Sequence, residues 1–369
     1  MQQASAVKRH RFHSICPYFA MFPEDFVRRN LLAWSTPGDL VFDPFCGRGT
    51  AVFESLLNGR PALGCDANPV AVCISRAKCD PPTLASALSR LHELEGSYKA
   101  AQSENIKIST FFRICFHPRT LSQILFLRSA LRWRTRKDDC FIAAVTLGCL
   151  HGESHRTEYC LSNRMPRTIS TKPDYSVRWW QEHGCRPPER DTFGVLRAML
   201  RYRFESAPAP IRGKVVEGDV RSAARLLKSY LSRVKLIVTS PPYLDITNYQ
   251  EDQWLRLWFL GGPPAPVAAD AADDRHRKVD SYWQFLKEAW CGILPLLHAS
   301  CQIVVRIGGT RLEPHELGAG LLGCINHDPR RQFKLAECRT TQIKRGQKRS
   351  FGCTSPRSSV EHDFRLCAC

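Results

Sequence analysis

Leu40-Val41-Phe42-Asp43-Pro44-Phe45-Cys46-Gly47-Arg48-Gly49-Thr50 decides the fold. Three apolar residues ending on a carboxylate read as a short buried strand, and Pro37-Gly38 turns the chain into it. Two glycines then permit a tight turn whose backbone another group can approach closely. Residues 51–57 follow with helical spacing, Asn58-Gly59 stops them, and 62–65 make a second strand ending at Asp66. Pro69 opens a further helix, 69–78, at a position where its missing N–H costs nothing. Strand, glycine turn, helix, strand, helix is the opening half of an α/β, Rossmann-like doubly wound sheet.

Upstream, residues 14–34 combine an aromatic-rich approach with a helical pattern at Phe26, Val27, Leu31 and Leu32. Downstream the pattern changes. Residues 81–212 carry helical stretches at 84–97, 119–131 and 141–150 and a long irregular basic stretch. The α/β pattern returns with a strand at 214–218 ending at Asp219, a helix at 221–231, and the apolar strand Leu236-Ile237-Val238. That strand runs into Thr239-Ser240-Pro241-Pro242-Tyr243. Residues 281–297 predict an amphipathic helix, 302–307 a buried strand, and 333–339 and 360–366 two more strands. The Ala-Pro stretch 261–272 reads as a loop. The expected organisation is a sheet domain in two parts, 1–80 and 213–369, interrupted by a mainly helical basic insert at 81–212.

The charge balance narrows the partners. The 369 residues carry a formal net charge of +18, with a pI near 9.4, so a polyanion is expected: nucleic acid or a membrane surface. No window approaches the roughly 18 apolar residues that a spanning helix needs, and the polar, basic start at 1–12 predicts no secretory leader. Nucleic acid is the favoured partner. The 17 cysteines sit largely in apolar, strand-like contexts such as Cys65, Cys73, Cys149 and Cys301, where reduced Cys acts as a small hydrophobe. No pair has Cys-x-x-Cys spacing, and Cys160 and Cys185 with His151, His155 and His183 match no finger pattern, so no metal is expected. A reducing, cytoplasmic compartment follows as the expectation.

A lone Gly-x-Gly turn fits phosphate, dinucleotide or S-adenosylmethionine equally well. The third glycine of the dinucleotide fingerprint is missing, and no Gly-Lys-Ser/Thr follows. Asp66, at the end of the second strand, is placed to accept both hydroxyls of a ribose. Asp219 ends a later strand and can accept from an adenine amino group; either carboxylate alone is equally a helix cap. Pro241-Pro242 after a buried strand fixes a rigid extended corner whose carbonyls are free to accept.

In order and chemistry these pieces resemble the amino-methyltransferases of bacterial restriction–modification systems. Asp43-Pro44-Phe45-Cys46-Gly47-x-Gly49-Thr50 is similar to their cofactor loop, and Thr239-Ser240-Pro241-Pro242-Tyr243 to their catalytic motif. Pro17-Tyr18-Phe19-Ala20-Met21-Phe22-Pro23 resembles the aromatic segment that closes over the methionine moiety of the donor. The resemblance covers 20–80 and 213–310. It implies S-adenosylmethionine as cofactor, held by Tyr18, Phe22, Asp43, Phe45, Gly47, Gly49, Thr50, Asp66 and Asp219, with Ser240, Pro241, Pro242 and Tyr243 catalytic. Arg48 departs from the pattern, which has a small residue there; it is expected to lean on the cofactor's carboxylate or to face solvent.

The implied chemistry has a physical basis. A base amino group is a poor nucleophile because its lone pair is delocalised. Acceptors on both N–H groups, the Ser240 Oγ and the Pro241 carbonyl, draw it toward tetrahedral geometry, while the Tyr243 face supports an extruded base. By the resemblance, Ser before Pro-Pro implies N4 of cytosine ahead of N6 of adenine; RNA as substrate and a silent DNA-binding protein stay open. Carbon-5 methylation is disfavoured, since no Pro-Cys nucleophile follows the strand. The implied partner is double-stranded DNA, with room for a cognate restriction endonuclease and none for a membrane. Arg164, Arg167, Lys172 and Arg178, beside Trp179 and Trp180, are the expected DNA contacts, and 162–168 is rich in side chains suited to base edges or phosphates. A second basic stretch, 330–349, is a further phosphate-facing candidate.

Overall fold

The computed structural model describes residues 9–18, 23–100, 109–165, 172–244, 253–266, 278–308, 312–329, 331–342 and 360–369. The chain divides into two units, one of Tyr18–Asp80, Ala209–Tyr249 and Val267–Cys369, the other of Met1–Pro17, Pro81–Pro208 and Gln250–Pro266.

The first unit is built on a seven-stranded sheet of order β3-β2-β1-β4-β5-β7-β6. Its strands are β1 (Leu40–Asp43), β2 (Ala62–Asp66), β3 (Lys214–Glu217), β4 (Val234–Thr239), β5 (Leu297–Gly308), β6 (Phe333–Gln342) and β7 (Val360–Ala368). The first five run parallel, and the last two add an antiparallel edge. The sheet is Rossmann-like α/β. Alternation along β4 sends Leu236 and Val238 to one face and Ile237 to the other. On the first face they meet Phe26, Val27 and Leu31 of α1 (Glu24–Trp34) and Ala51 of α2 (Thr50–Leu57). On the second, Phe42, Ile237, Ile303 and Val305 pack with Tyr282, Phe285, Leu286 and Trp290 of α12 (Val279–Ile293) and with Leu317 and Leu321 of α13 (Pro314–Ile325). A sheet covered on both faces explains the apolar runs in its parallel strands. Helix α3 (Pro69–Cys79), whose start is capped by the Asn68 side chain, follows β2.

Two expectations change here. The helix read at 221–231 is broken into Val220–Ser222, α10 (Ala223–Leu226) and Lys228–Tyr230. The chain is tied at its end, because the Ser232 and Arg233 amides donate to the Pro295 and Leu296 carbonyls. The helix read at 281–297 ends at Ile293, since Pro295 cannot continue it, and β5 starts at Leu297 rather than at 302.

The second unit is helical: α4 (Leu84–Ala100), α5 (Thr110–Cys115), α6 (Pro118–Ala130), α7 (Lys137–Cys149), α8 (Pro173–Glu182), α9 (Thr192–Phe204) and α11 (Trp254–Phe259). The sequence reading left α8 and α9 in an irregular stretch, although the Asp191 side chain caps α9 by accepting from the Gly194 amide. Phe12, Phe141 and Phe204 form an aromatic knot with centroids 5.0–5.5 Å apart. Trp254 and Trp258 stack into Phe111 and Phe112 at 4.9 and 4.3 Å, so 253–259 packs as part of this unit. Among the described residues no helix is long and apolar enough to cross a membrane, and no group of His, Cys, Asp and Glu has a metal-binding arrangement.

Candidate active site

Strand order reverses between β1 and β4, and a doubly wound sheet opens a crevice at such a point, outside the carboxyl ends of the strands. The glycine turn leaves β1 there. Gly47 has φ +49° and Gly49 φ +73°, both left-handed, and Gly49 caps α2. The turn is gripped from several sides. The Gly49 amide donates to the Cys46 carbonyl at 2.7 Å, and the Cys46 amide to Cys65 at 3.0 Å. The Ser75 hydroxyl of α3 donates to the Gly47 carbonyl at 2.7 Å, and the fully buried Lys78 ammonium donates to the Arg48 carbonyl. A Cβ on Gly49 would lie 2.6 Å from the Ser75 Oγ. The Tyr18 ring borders the turn, 3.6 Å from where a Gly47 Cβ would stand, and the Tyr18 hydroxyl accepts from Asn68 at 3.5 Å.

Arg48 neither faces solvent nor points outward to a carboxylate ligand. It is 4% exposed, its guanidinium pairs with Glu24 of α1 at 3.1 Å, and its Nε donates to the Thr50 hydroxyl at 3.3 Å. Thr50 is itself buried, and Phe45 is half-buried against Phe285 at a 6.2 Å centroid distance.

Three carboxylates end three neighbouring strands or the turn just beyond. Asp43 is buried; its Oδ1 accepts from the Thr239 hydroxyl at 2.6 Å and from the Phe45 amide at 3.2 Å. Desolvation pushes its carboxyl up to about 7 against those two bonds. Asp66 accepts the Gly47 amide at 2.8 Å and the Asn68 amide at 2.9 Å, and burial raises it as well. Asp219 differs. It is partly exposed, and Arg221 holds both its oxygens at 2.6–3.0 Å.

Beyond β4, Ser240 donates its hydroxyl to the Tyr243 phenol oxygen at 3.0 Å. The Tyr243 ring is 7% exposed, packed into the core beside Gly308. Pro241 is buried and Pro242 half-buried.

Residues 3–76 match the family described as DNA methylase. A stretch of 61 residues is 41% identical to the orphan methyltransferase M.BamHII of Bacillus amyloliquefaciens. In this N-terminal segment the chain is similar to the DNA methylase family. The M.BamHII match takes in 16% of this chain and 20% of that protein, so the chain spans about a fifth of the relative's length there. Among solved structures, the rRNA methyltransferase aviRa of Streptomyces viridochromogenes is 13% identical, covering 95% of this chain and 87% of that one at a TM-score of 0.34. TrmN of Thermus thermophilus is 11% identical, covering 98% and 53% at a TM-score of 0.37.

The matched segment brings Tyr18, Asp43, Gly47, Gly49, Thr50 and Asp66 around one turn, with Ser240–Tyr243 on the adjacent strand end; Phe22 lies outside the described residues. Sequence reasoning missed Ser75, Lys78 and Glu24. The signal was a pair of polar residues three apart, Ser75 and Lys78, on an α3 that is otherwise apolar but for Arg76. In the helical unit Arg164, Lys172 and Arg178 are exposed, while Arg167 is outside the described residues. Ser162 and Asn163 are not available to DNA: both are buried, and the Asn163 amide group donates to the Ile114 and Cys185 carbonyls at 3.1 Å. Trp180 is buried too, its indole N–H bonded to the Arg164 carbonyl at 2.6 Å. In the described part of the second basic stretch, Arg331 turns inward and donates to the Leu294 and Leu297 carbonyls.

Proposed function

We propose that the chain is an S-adenosylmethionine-dependent DNA methyltransferase acting on an exocyclic base amine, N4 of cytosine first. The observation that carries this reading is the 2.6 Å bond from Thr239 to Asp43, which ties the last residue of β4 to the last residue of β1 and so sets the Ser-Pro-Pro-Tyr corner beside the glycine turn. The DNA methylase match over 3–76 supports the same reading.

The residues around the turn suit the cofactor. Each Asp66 oxygen accepts one amide and keeps a lone pair for a ribose hydroxyl, and the absent side chain of Gly47 leaves the turn open beside Tyr18. Asp219, already engaged by Arg221, is the weaker candidate for the adenine amine. When bound, S-adenosylmethionine supplies an electrophilic methyl on a sulfonium. Ser240 spends its proton on Tyr243, which leaves its Oγ lone pairs free to accept from an amine. With the Pro241 carbonyl accepting the second N–H, the nitrogen lone pair is released from the ring; positioning and desolvation supply the rest. Tyr243, packed in the core and bonded through its phenol, holds the Ser240 hydroxyl in place. Arg164, Lys172 and Arg178 serve as phosphate contacts.

The test is transfer of labelled methyl from S-adenosylmethionine to plasmid DNA, followed by sequencing with single-base detection of the modification. Label on cytosine N4, lost in Ser240→Ala while cofactor binding survives, is the expected result. Label on adenine or on RNA would change the substrate, and normal turnover by Ser240→Ala would remove the amine-activation role.

A further inference from the structure

The first residue of the catalytic-motif stretch joins the two halves of the site. Thr239 is fully buried at the end of β4, immediately before Ser240. Its hydroxyl donates to the Asp43 Oδ1, the same oxygen that accepts the Phe45 amide at 3.2 Å. One carboxylate oxygen therefore holds the peptide entering the glycine turn and the residue that launches the catalytic corner. The ladder between β1 and β4 pairs Val41 with Leu236 and Phe42 with Ile237 and is irregular near the strand starts. The register between these two strands ends there, while Asp43 pairs with Gly64 of β2 and Thr239 with Val305 of β5, so between β1 and β4 the side-chain bond takes over where the ladder stops. A β-branched side chain suits that task, because its χ1 is stiff.

We infer that Thr239 is a positioning residue, whose hydroxyl bond to Asp43 fixes the separation between the donor-binding turn and the amine-activating corner. The inference rests on the proposed methyl transfer. Its consequence is a division of labour: Thr239 touches neither donor nor base, so its loss leaves cofactor binding nearly intact and slows the transfer itself. Ionised Asp43 makes the stronger, charge-assisted bond, so protonation loosens the tie. The other titratable groups coupled to this carboxyl are Asp66, Cys46 and Cys65; burial pushes both thiols up, Cys65 to about 12, and they stay neutral.

Thr239→Val keeps the shape and removes the donor. Expected are a folded protein by thermal melting, a KM for the cofactor within about threefold of wild type, and a kcat lower by about tenfold or more, as for other losses of alignment. The acid limb of the pH profile disappears with the bond, because no tie is left for protonation of Asp43 to loosen. Thr239→Ser restores most of the rate. Asp43→Asn keeps an acceptor but only a neutral one; it runs at the low acid-side rate at every pH and has no acid limb. Unchanged kcat with a persisting acid limb in Thr239→Val overturns the proposal, as does a persisting acid limb in Asp43→Asn. Wild-type protein that transfers no methyl to any nucleic acid instead sinks the methyltransferase reading. The two failures are therefore distinguishable.

Discussion

Asp66 accepts the Gly47 amide through Oδ2 at 2.8 Å, so the carboxylate that ends β2 also holds the turn that leaves β1. Its other oxygen accepts the Asn68 amide at 2.9 Å and orders the entry to α3. Removing the side chain strands both donors. Asp66→Ala is expected to cost about 1–3 kcal/mol of stability, the range for an orphaned buried polar group. Asp66→Asn turns an N–H toward an N–H and does no better. Because the turn and the ribose acceptor go together, cofactor affinity should fall by about tenfold or more in either variant, a loss of at least about 1.4 kcal/mol. Titration calorimetry with S-adenosylmethionine checks this, and wild-type affinity in Asp66→Ala would leave the carboxylate a structural brace alone.

Gly49 carries two separable constraints, a left-handed φ of +73° and a Cβ position 2.6 Å from the Ser75 Oγ. An alanine there meets both. The conformational part costs about 1–2 kcal/mol, and the steric part is that of an overpacked core, about 1–3 kcal/mol. Gly49→Ala should accordingly lower stability by about 2–5 kcal/mol. A double-mutant cycle with Ser75→Gly recovers the steric part and leaves the conformational one. Additivity in that cycle, measured by denaturant unfolding, would mean that α3 simply yields.

The parts of this protein that were legible in its sequence are those written in local pattern. The glycine turn after Phe42, the Pro69 that opens α3 and the apolar run 236–238 each dictate their own geometry, and together they yield the sheet and the neighbourhood of Asp43, Asp66 and Ser240. What stayed hidden depends on partners distant in the chain. Arg48 reads as a surface residue until Glu24, 24 positions away, takes its charge into the interior. Lys78 looks like the solvated end of a helix, yet its ammonium closes the turn at Arg48. Arg197, Arg201 and Arg203 gave 192–204 the look of a basic loop, though Phe193, Leu196 and Leu200 bury one face of it. Trp254 and Trp258 follow the catalytic motif in sequence but pack on Phe111 and Phe112, a pairing no local pattern could announce.

Asp43 makes stability depend on pH in a predictable direction. Its folded-state carboxyl titrates near 7 instead of the ordinary 3.8, because burial outweighs the bonds from Thr239 and Phe45. A carboxyl raised on folding contributes stability that is present below its unfolded value and lost as pH rises through the folded one. Wild type should therefore weaken relative to Asp43→Asn between about pH 4 and pH 7, by up to about 4 kcal/mol, and the gap should level off above. Comparing the two proteins cancels Glu54 and Glu361, whose carboxyls are also raised by burial. Urea titrations at a series of pH values give the curve. A gap independent of pH would mean that Asp43 is ionised throughout.

Among the exposed cations of the helical unit, Arg164, Lys172 and Arg178 are the ones proposed to meet DNA. Arg164 lies 5.8 Å from the Trp179 ring, which His183 stacks on at 4.4 Å, so its guanidinium is held near a fixed platform while Lys172 and Arg178 extend from the start and middle of α8. Cations that meet phosphates release counterions, and each contact adds about 0.9 to the slope of log affinity against log salt. Arg178→Glu and Lys172→Glu are each expected to weaken binding alike across DNA sequences and to flatten that slope by about 1. Both lie away from the glycine turn in sequence, so cofactor affinity should not change. Binding measured by fluorescence anisotropy between low and moderate salt decides the matter: an unaltered slope in both variants would move the DNA-contacting surface elsewhere on the molecule.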